Sequence, residues 1–182
     1  MKIVLKLSIL YVLIQFSGCY SGGGQSEITG VHYDETKNIT TYIKIPFGNM
    51  EIPGKWKQGK MDYVSRSQYL ISDDSEIIGV SISGERQYSF YNDSIKGKRF
   101  PKAHFEWESK YMKDTLNAKV SLLKIDSASG SILWEVELKE AKNLFFLYDK
   151  NERFYNIKYV VTKSKTESRG ISLLHEIYAM NN

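Results

Sequence analysis

At 182 residues, with 42% hydrophobic and 25% charged side chains, the chain can bury one core but is short for two ordinary domains, and its composition excludes wholesale disorder and a multispan membrane protein. Three prolines and an aromatic share of 13%, mostly tyrosine, favour a sheet-containing domain over a coiled coil. The formal charge of +4 includes Lys2 and Lys6, which lie in an acid-free first segment; without them 23 basic residues face 21 acidic ones, too small an excess to argue for a nucleic-acid partner.

The chain opens with those two lysines, then the apolar run Leu7 to Phe16, then Ser17 and Gly18 before Cys19. This is the layout of a secretory signal, and the run is shorter than the roughly 20 residues that span a bilayer as a helix. Phe16-Ser17-Gly18-Cys19 resembles the lipobox of bacterial lipoproteins. The resemblance covers residues 1–19 and implies cleavage after residue 18, with diacylglycerol and a fatty acyl group on Cys19. Cys19 is the only cysteine, which excludes an internal disulfide and places the thiol where the lipid reading needs it; the other reading is an ordinary cleaved signal and a stray thiol. Residues 19–27 then read as a tether, with Tyr20, Ser21 and the Gly22–Gly24 run giving a reach of roughly 17 Å for ten residues. That glycine run lacks the Lys-Ser/Thr pair of a phosphate loop. Residues 20–24 also lack an acidic cluster resembling a surface-export signal, so the expected location is the cell envelope, on the outer membrane facing the periplasm, with the cell surface still open.

A single domain is expected over 28–182. Ile39, Thr41, Ile43 and Ile45 alternate with Thr40, Tyr42 and Lys44 as a strand that Pro46 ends. Phe47 to Trp56, with Gly48, Pro53 and Gly54, reads as a turn-rich connection. Gln68–Ser72 and Ile77–Ser83 flank Asp73-Asp74-Ser75-Glu76 as a hairpin with a solvated acidic tip. Gly84 to Phe100 is long and aromatic without a period. Pro101 then suits the first turn of a helix to about Leu116, with Phe105, Met112 and Leu116 on its core face. Four strands follow, 119–126, 131–139, 143–149 and 154–162. In the second, Ile132, Trp134, Val136 and Leu138 face the core opposite a solubilising row of Glu135, Glu137 and Lys139, and the doubly apolar Leu144–Tyr148 is central. Ser164-Lys165-Thr166-Glu167 has capping-box spacing before a last helix with the stripe Ile171, Leu174, Ile177 and Tyr178. The order predicts an α+β fold, an antiparallel sheet with helices packed on it. Together with Ile45-Pro46-Phe47 and Ile52-Pro53-Gly54-Lys55-Trp56, it is similar over about residues 39–180 to the PsbP/Mog1-like α/β/α sandwich proteins. That similarity implies a small non-enzymatic accessory or binding protein and carries over no catalytic residue.

The chemistry-bearing residues point the same way. His32, His104 and His175 fall in separate elements without metal-ligand spacing, and no Gly-x-Ser-x-Gly element occurs, so no metal, no cofactor beyond the lipid and no enzymatic activity is expected. Asp73, Asp74 and Glu76 lack the rest of a calcium loop. Lys96, Lys98 and Arg99 precede a helix N-terminus, where an anionic group or acidic partner would dock, or where a charged loop would bind nothing. His104, Trp107 and Tyr111 form a second stripe on the same helix. Either the 84–100 connection folds over it with Tyr88 and Phe90, or Trp107 and Tyr111 anchor an envelope protein partner, with Tyr88 and Phe90 alongside. The expected function is therefore a lipid-anchored, non-enzymatic protein-binding module, an envelope accessory or an inhibitor of immunity type. The alternative is a small-ligand or lipid carrier with a sheet–helix pocket lined by Phe145, Phe146 and Tyr148.

Overall fold

The computed structural model describes residues 27–139 and 141–182. Among these residues the fold is α+β, with ten strands and two α-helices. Strands β1 (Ile28–Asp34), β2 (Ile39–Ile45) and β3 (Gly48–Pro53) form a small antiparallel sheet. The remaining strands are β4 (Trp56–Asp62), β5 (Ser67–Ser72), β6 (Ile77–Gly84), β7 (Lys119–Ile125), β8 (Ile132–Leu138), β9 (Ala141–Lys150) and β10 (Arg153–Val161). They make one seven-stranded antiparallel sheet ordered β4-β5-β6-β10-β9-β8-β7. Helix α1 (Phe100–Leu116) covers one face over β7, β8 and β9; helix α2 (Glu167–Asn181) packs against β3, β9 and β10 on the other.

Strand alternation creates two cores, one on each side of the large sheet. Leu144, Phe146 and Tyr148 point with Ile78, Val80, Ile82, Ile157 and Tyr159 toward α2 and the small sheet, where Leu173, Leu174, Ile177, Tyr42, Met50 and Ile52 meet them. Phe145 and Leu147 point the other way, with Trp134 and Val136, toward Phe100, Phe105 and Met112 of α1. Trp134 stacks on Phe145 at 4.5 Å between ring centroids and takes Phe105 edge-on at 5.3 Å. The predicted central strand is thus covered on both faces. Phe145, Phe146 and Tyr148 do not line one pocket as the carrier reading expects: the sheet itself separates Phe145 from the other two, and of the three Phe146 alone borders a concavity beside α2.

Other expectations change for identifiable reasons. Residues 48–53 form β3 rather than a turn-rich connection, because Met50 and Ile52 alternate with Asn49 and Glu51 and pair across β2. The hairpin of β5 and β6 forms, but Glu76 is no solvated tip: its buried carboxylate accepts from Arg169 Nε and Nη2 of α2 at 3.0 and 3.1 Å and from Tyr159 Oη at 3.1 Å. Glu135 is likewise buried; it accepts from Lys142 Nζ, which also donates to Glu167 in the first turn of α2, both at 3.0 Å. Helix α2 starts two residues later than the capping-box pattern suggests, with Thr166 Oγ1 accepting from Arg169 N at 3.3 Å, because residues 162–165 close a turn of their own. On α1, Phe105 and Met112 pack on the core as expected, whereas Leu116 is exposed at the C-terminal end, and the deepest line runs through Phe100, Pro101 and His104 instead.

Candidate functional site

The connection between β6 and α1 is three short 3-10 turns, 85–87, 93–95 and 97–99, laid across the N-terminal half of α1. It brings together most of the aromatic stripe that the sequence singles out. Tyr88 sits edge-on to His104 at 5.1 Å and to Trp107 at 6.4 Å; Phe90 lies 5.3 Å from Trp107 and stacks on Phe100 at 5.4 Å; Phe154 of β10 closes on His104 at 4.5 Å. His104 is therefore enclosed. The cover stops there: Trp107 remains 47% exposed and Tyr111, one turn further on, 50% exposed. Two large rings on one helix edge thus stay in water while their neighbours are locked in a ring cluster, an arrangement that loses little side-chain entropy on contact with a partner.

Beneath the ledge lies a pair that the sequence reading missed. His104 Nδ1 and Glu108 Oε2 stand 3.3 Å apart, one helical turn from each other, and neither has another hydrogen-bond partner. Burial pushes the His104 imidazole down to about 3 and the Glu108 carboxyl up to about 7, the latter slightly offset by the Lys158 charge. A neutral imidazole nitrogen facing a protonated carboxyl satisfies both atoms with one O–H···N bond. The i, i+4 spacing of a histidine and a glutamate was the available signal.

Lys96, Lys98 and Arg99 are exposed, as a docking loop requires, but two are engaged locally. Lys98 Nζ donates to Ala128 O at 2.7 Å and Arg99 Nη1 to Ser94 O at 3.1 Å. An internal anion already takes one backbone donor: Gly97 N donates to the buried Glu85 carboxylate at 2.7 Å. Burial raises the Glu85 carboxyl to about 7, Asp149 of β9 adding its charge, and raises that of Asp149 as well.

Two open concavities lie elsewhere on the surface. One, about 820 Å³, lies between β1 and the β4–β5 hairpin; Glu27, Thr29, Phe47, Tyr63, Arg66 and Gln87 are among its lining residues. The other, about 230 Å³, lies beside α2 against Leu133, Phe146, His175 and Tyr178. Among the described residues no group of three or more histidine, cysteine, aspartate or glutamate side chains is placed to hold a metal ion, and no helix is long and apolar enough to cross a membrane. Cys19 and most of the tether lie outside the described residues.

No protein-family model matches the sequence, and no curated protein does. Among solved structures, the chain is similar to the solution structure of cyanobacterial PsbP (CyanoP) from Synechocystis sp. PCC 6803, with 12% identity, a TM-score of 0.49, and 90% of this chain and 96% of that one covered.

Proposed function

We propose that the protein is a lipid-anchored binding module of the bacterial cell envelope, tethered through Cys19, that recognises another envelope protein through the Trp107–Tyr111 edge of α1 and carries out no reaction of its own. Supporting the anchor is the position of the single cysteine after an apolar leader. The observation that carries the binding role is the half-exposed Trp107–Tyr111 pair beside a filled ring cluster. Tryptophan and tyrosine dominate protein interfaces because they bring large contact area on few rotatable bonds. A role as an assembly accessory and one as an inhibitor share this surface.

The test is Trp107→Ala combined with Tyr111→Ala. Because both rings are half in water, the double variant should lose about 1–2 kcal/mol of stability, a melting shift of roughly 2–8 °C for a domain of this size. Photo-crosslinking in native envelopes, strong for the unaltered protein, should lose its partner band. A retained band in a folded variant, or a collapse of stability showing the rings to be core, refutes the assignment.

A further inference from the structure

We propose that the end of the molecule where the tether joins the fold docks on an anionic bilayer surface, with Ile28, Ile43, Ile45, Tyr63 and Val64 seated at the headgroup boundary and Arg66 pairing with a lipid phosphate. This rests on the Cys19 anchor proposed above. Strand β2 is inverted relative to ordinary patterning. Lys44 points inward and is fully buried, held by Glu27 at 3.2 Å and by the Phe47 ring at 5.2 Å, while Ile43 and Ile45 point outward. Across the ladder Ile28, 60% exposed, pairs with Ile45, and Gly30 leaves Ile43 open. Glu27 accounts for the inward lysine; the outward isoleucine patch has no such account in the fold of the described residues.

The opposite rim of the 820 Å³ cleft carries a second apolar pair. Tyr63 and Val64, 83% and 96% exposed, sit on the β4–β5 turn. Asp62 closes that turn: its Oδ1 accepts from Val64 N at 3.0 Å and its Oδ2 from Ser65 Oγ at 2.7 Å. Arg66 follows in left-handed conformation, with φ 53°, and donates to Gln87 Oε1 at 3.2 Å. Among the described residues no carboxylate pairs with its guanidinium; Glu27 is engaged by Lys44 and Asp62 by its own turn, while Glu51 stays exposed opposite Thr41 on the outer face of the small sheet. Tyrosine at the interface, small apolar tips and one guanidinium make a set suited to a phospholipid surface.

Chain length selects this occupant. Glu27 lines the cleft and stands eight Cα–Cα steps beyond Cys19, a contour of at most about 29 Å. Another exposed apolar strip, Leu122, Leu123 and Ile125 on β7, belongs to the far edge of the large sheet, six strand spacings or about 29 Å from β4. An anchor at Cys19 therefore keeps the cleft end within that reach of the bilayer, whereas β7 lies a further sheet width from the point where the tether joins the fold.

The experiment uses nanodiscs of phosphatidylglycerol and phosphatidylcholine doped with a gadolinium-chelate lipid, and protein labelled at isoleucine, leucine and valine methyls. One sample is lipidated protein purified from membranes. The other is the Cys19–Asn182 chain, which contains every described residue, coupled through its one thiol to a maleimide phospholipid. In both, the methyls of Ile28, Ile43, Ile45 and Val64 should broaden several-fold more than those of Leu122, Leu123 and Ile125. The triple variant Tyr63→Ala, Val64→Ser, Arg66→Gln, or discs of phosphatidylcholine alone, should level the contrast. Uniform broadening, or strongest broadening at β7, overturns the docking surface. A diacylated Cys19 by intact mass without the pattern leaves the anchor standing and the docking wrong; the pattern in the coupled sample with an unmodified cellular Cys19 does the reverse. A dimer in the absence of lipid that Ile45→Lys dissolves makes a second copy the occupant and also overturns the proposal.

Discussion

The His104–Glu108 pair gives a prediction whose sign can be worked out fully. In the unfolded chain histidine titrates near 6.5 and glutamate near 4.5; in the fold burial places His104 at about 3 and Glu108 at about 7. The lowered histidine contributes stability that is present above pH 6.5 and lost as pH falls toward 3. The raised carboxyl contributes in the opposite sense, with its penalty absent below pH 4.5 and complete above about 7. Between pH 4.5 and 6.5 each state of the chain then holds one proton on the pair, on histidine when unfolded and on glutamate when folded. The pair makes no net contribution to the pH dependence of folding in that window. Substitution exposes either half. Glu108→Gln removes the carboxyl arm, so relative to the unaltered protein it should gain about 3 kcal/mol between pH 4.5 and 7.5. His104→Phe leaves Glu108 and should lose stability, relative to the unaltered protein, as pH rises from 3 to 6.5, by up to about 5 kcal/mol. Urea denaturation across pH, followed by near-ultraviolet circular dichroism, measures both differences. Parallel profiles for Glu108→Gln and the unaltered protein would show that the carboxyl is solvated and the account of the buried pair wrong.

Two further outcomes test the contacts that position the surfaces. Glu76→Ala strands the Arg169 guanidinium and the Tyr159 hydroxyl, and should cost about 3 kcal/mol, a melting shift of roughly 6–12 °C. Burial alone would raise the Glu76 carboxyl, but Arg169 outweighs it and holds it low, so this stabilisation should fade only on acidification below pH 4.5; a loss under about 1 kcal/mol near neutrality would contradict the bridge. Gly130→Ala places a methyl carbon 2.3 Å from Lys98 O at a backbone φ of +76°, so the 97–99 turn has to move. Faster amide exchange across residues 96–99 should report that movement, and unchanged exchange would show the two turns to be independent.

What the sequence made legible followed from side-chain period. Alternation placed β8, a run apolar at both parities placed β9, and the 3.6-residue stripe placed α2, because those elements bury whole faces. The small sheet resisted the same logic. Ile43 and Ile45 look like the buried parity of β2, yet Thr40, Tyr42 and Lys44 face inward, and the ion pair that makes this possible comes from Glu27, seventeen residues earlier. Strand β4 escaped notice because Gln58, Gly59 and Lys60 carry no apolar alternation. It forms an edge through a bulge between Gln58 and Met61, where Gln68 Nε2 donates to Gly59 O at 2.8 Å. Glu76 and Glu135 read as solvated because their partners, Arg169 and Lys142, belong to other elements. On α1 the aromatic stripe was visible, but not that its cover would end between His104 and Trp107.

The placement of that boundary follows from the 84–99 connection, which touches every candidate surface in turn. Gln87 accepts from Arg66 at the cleft; Tyr88, the next residue, packs on His104 and Trp107; Phe90 backs Trp107; and the turn at 97–99 is held by Glu85 from within and abuts Gly130. These contacts are made from short turns and bends rather than from one regular element, so the segment has no ladder of its own and keeps its course through side chains at both ends. The exposed edge of Trp107 is therefore fixed by the same few residues that reach the cleft. A change at Arg66 reaches the aromatic edge through two consecutive residues, whereas a change at β7 has the whole sheet between it and the cleft.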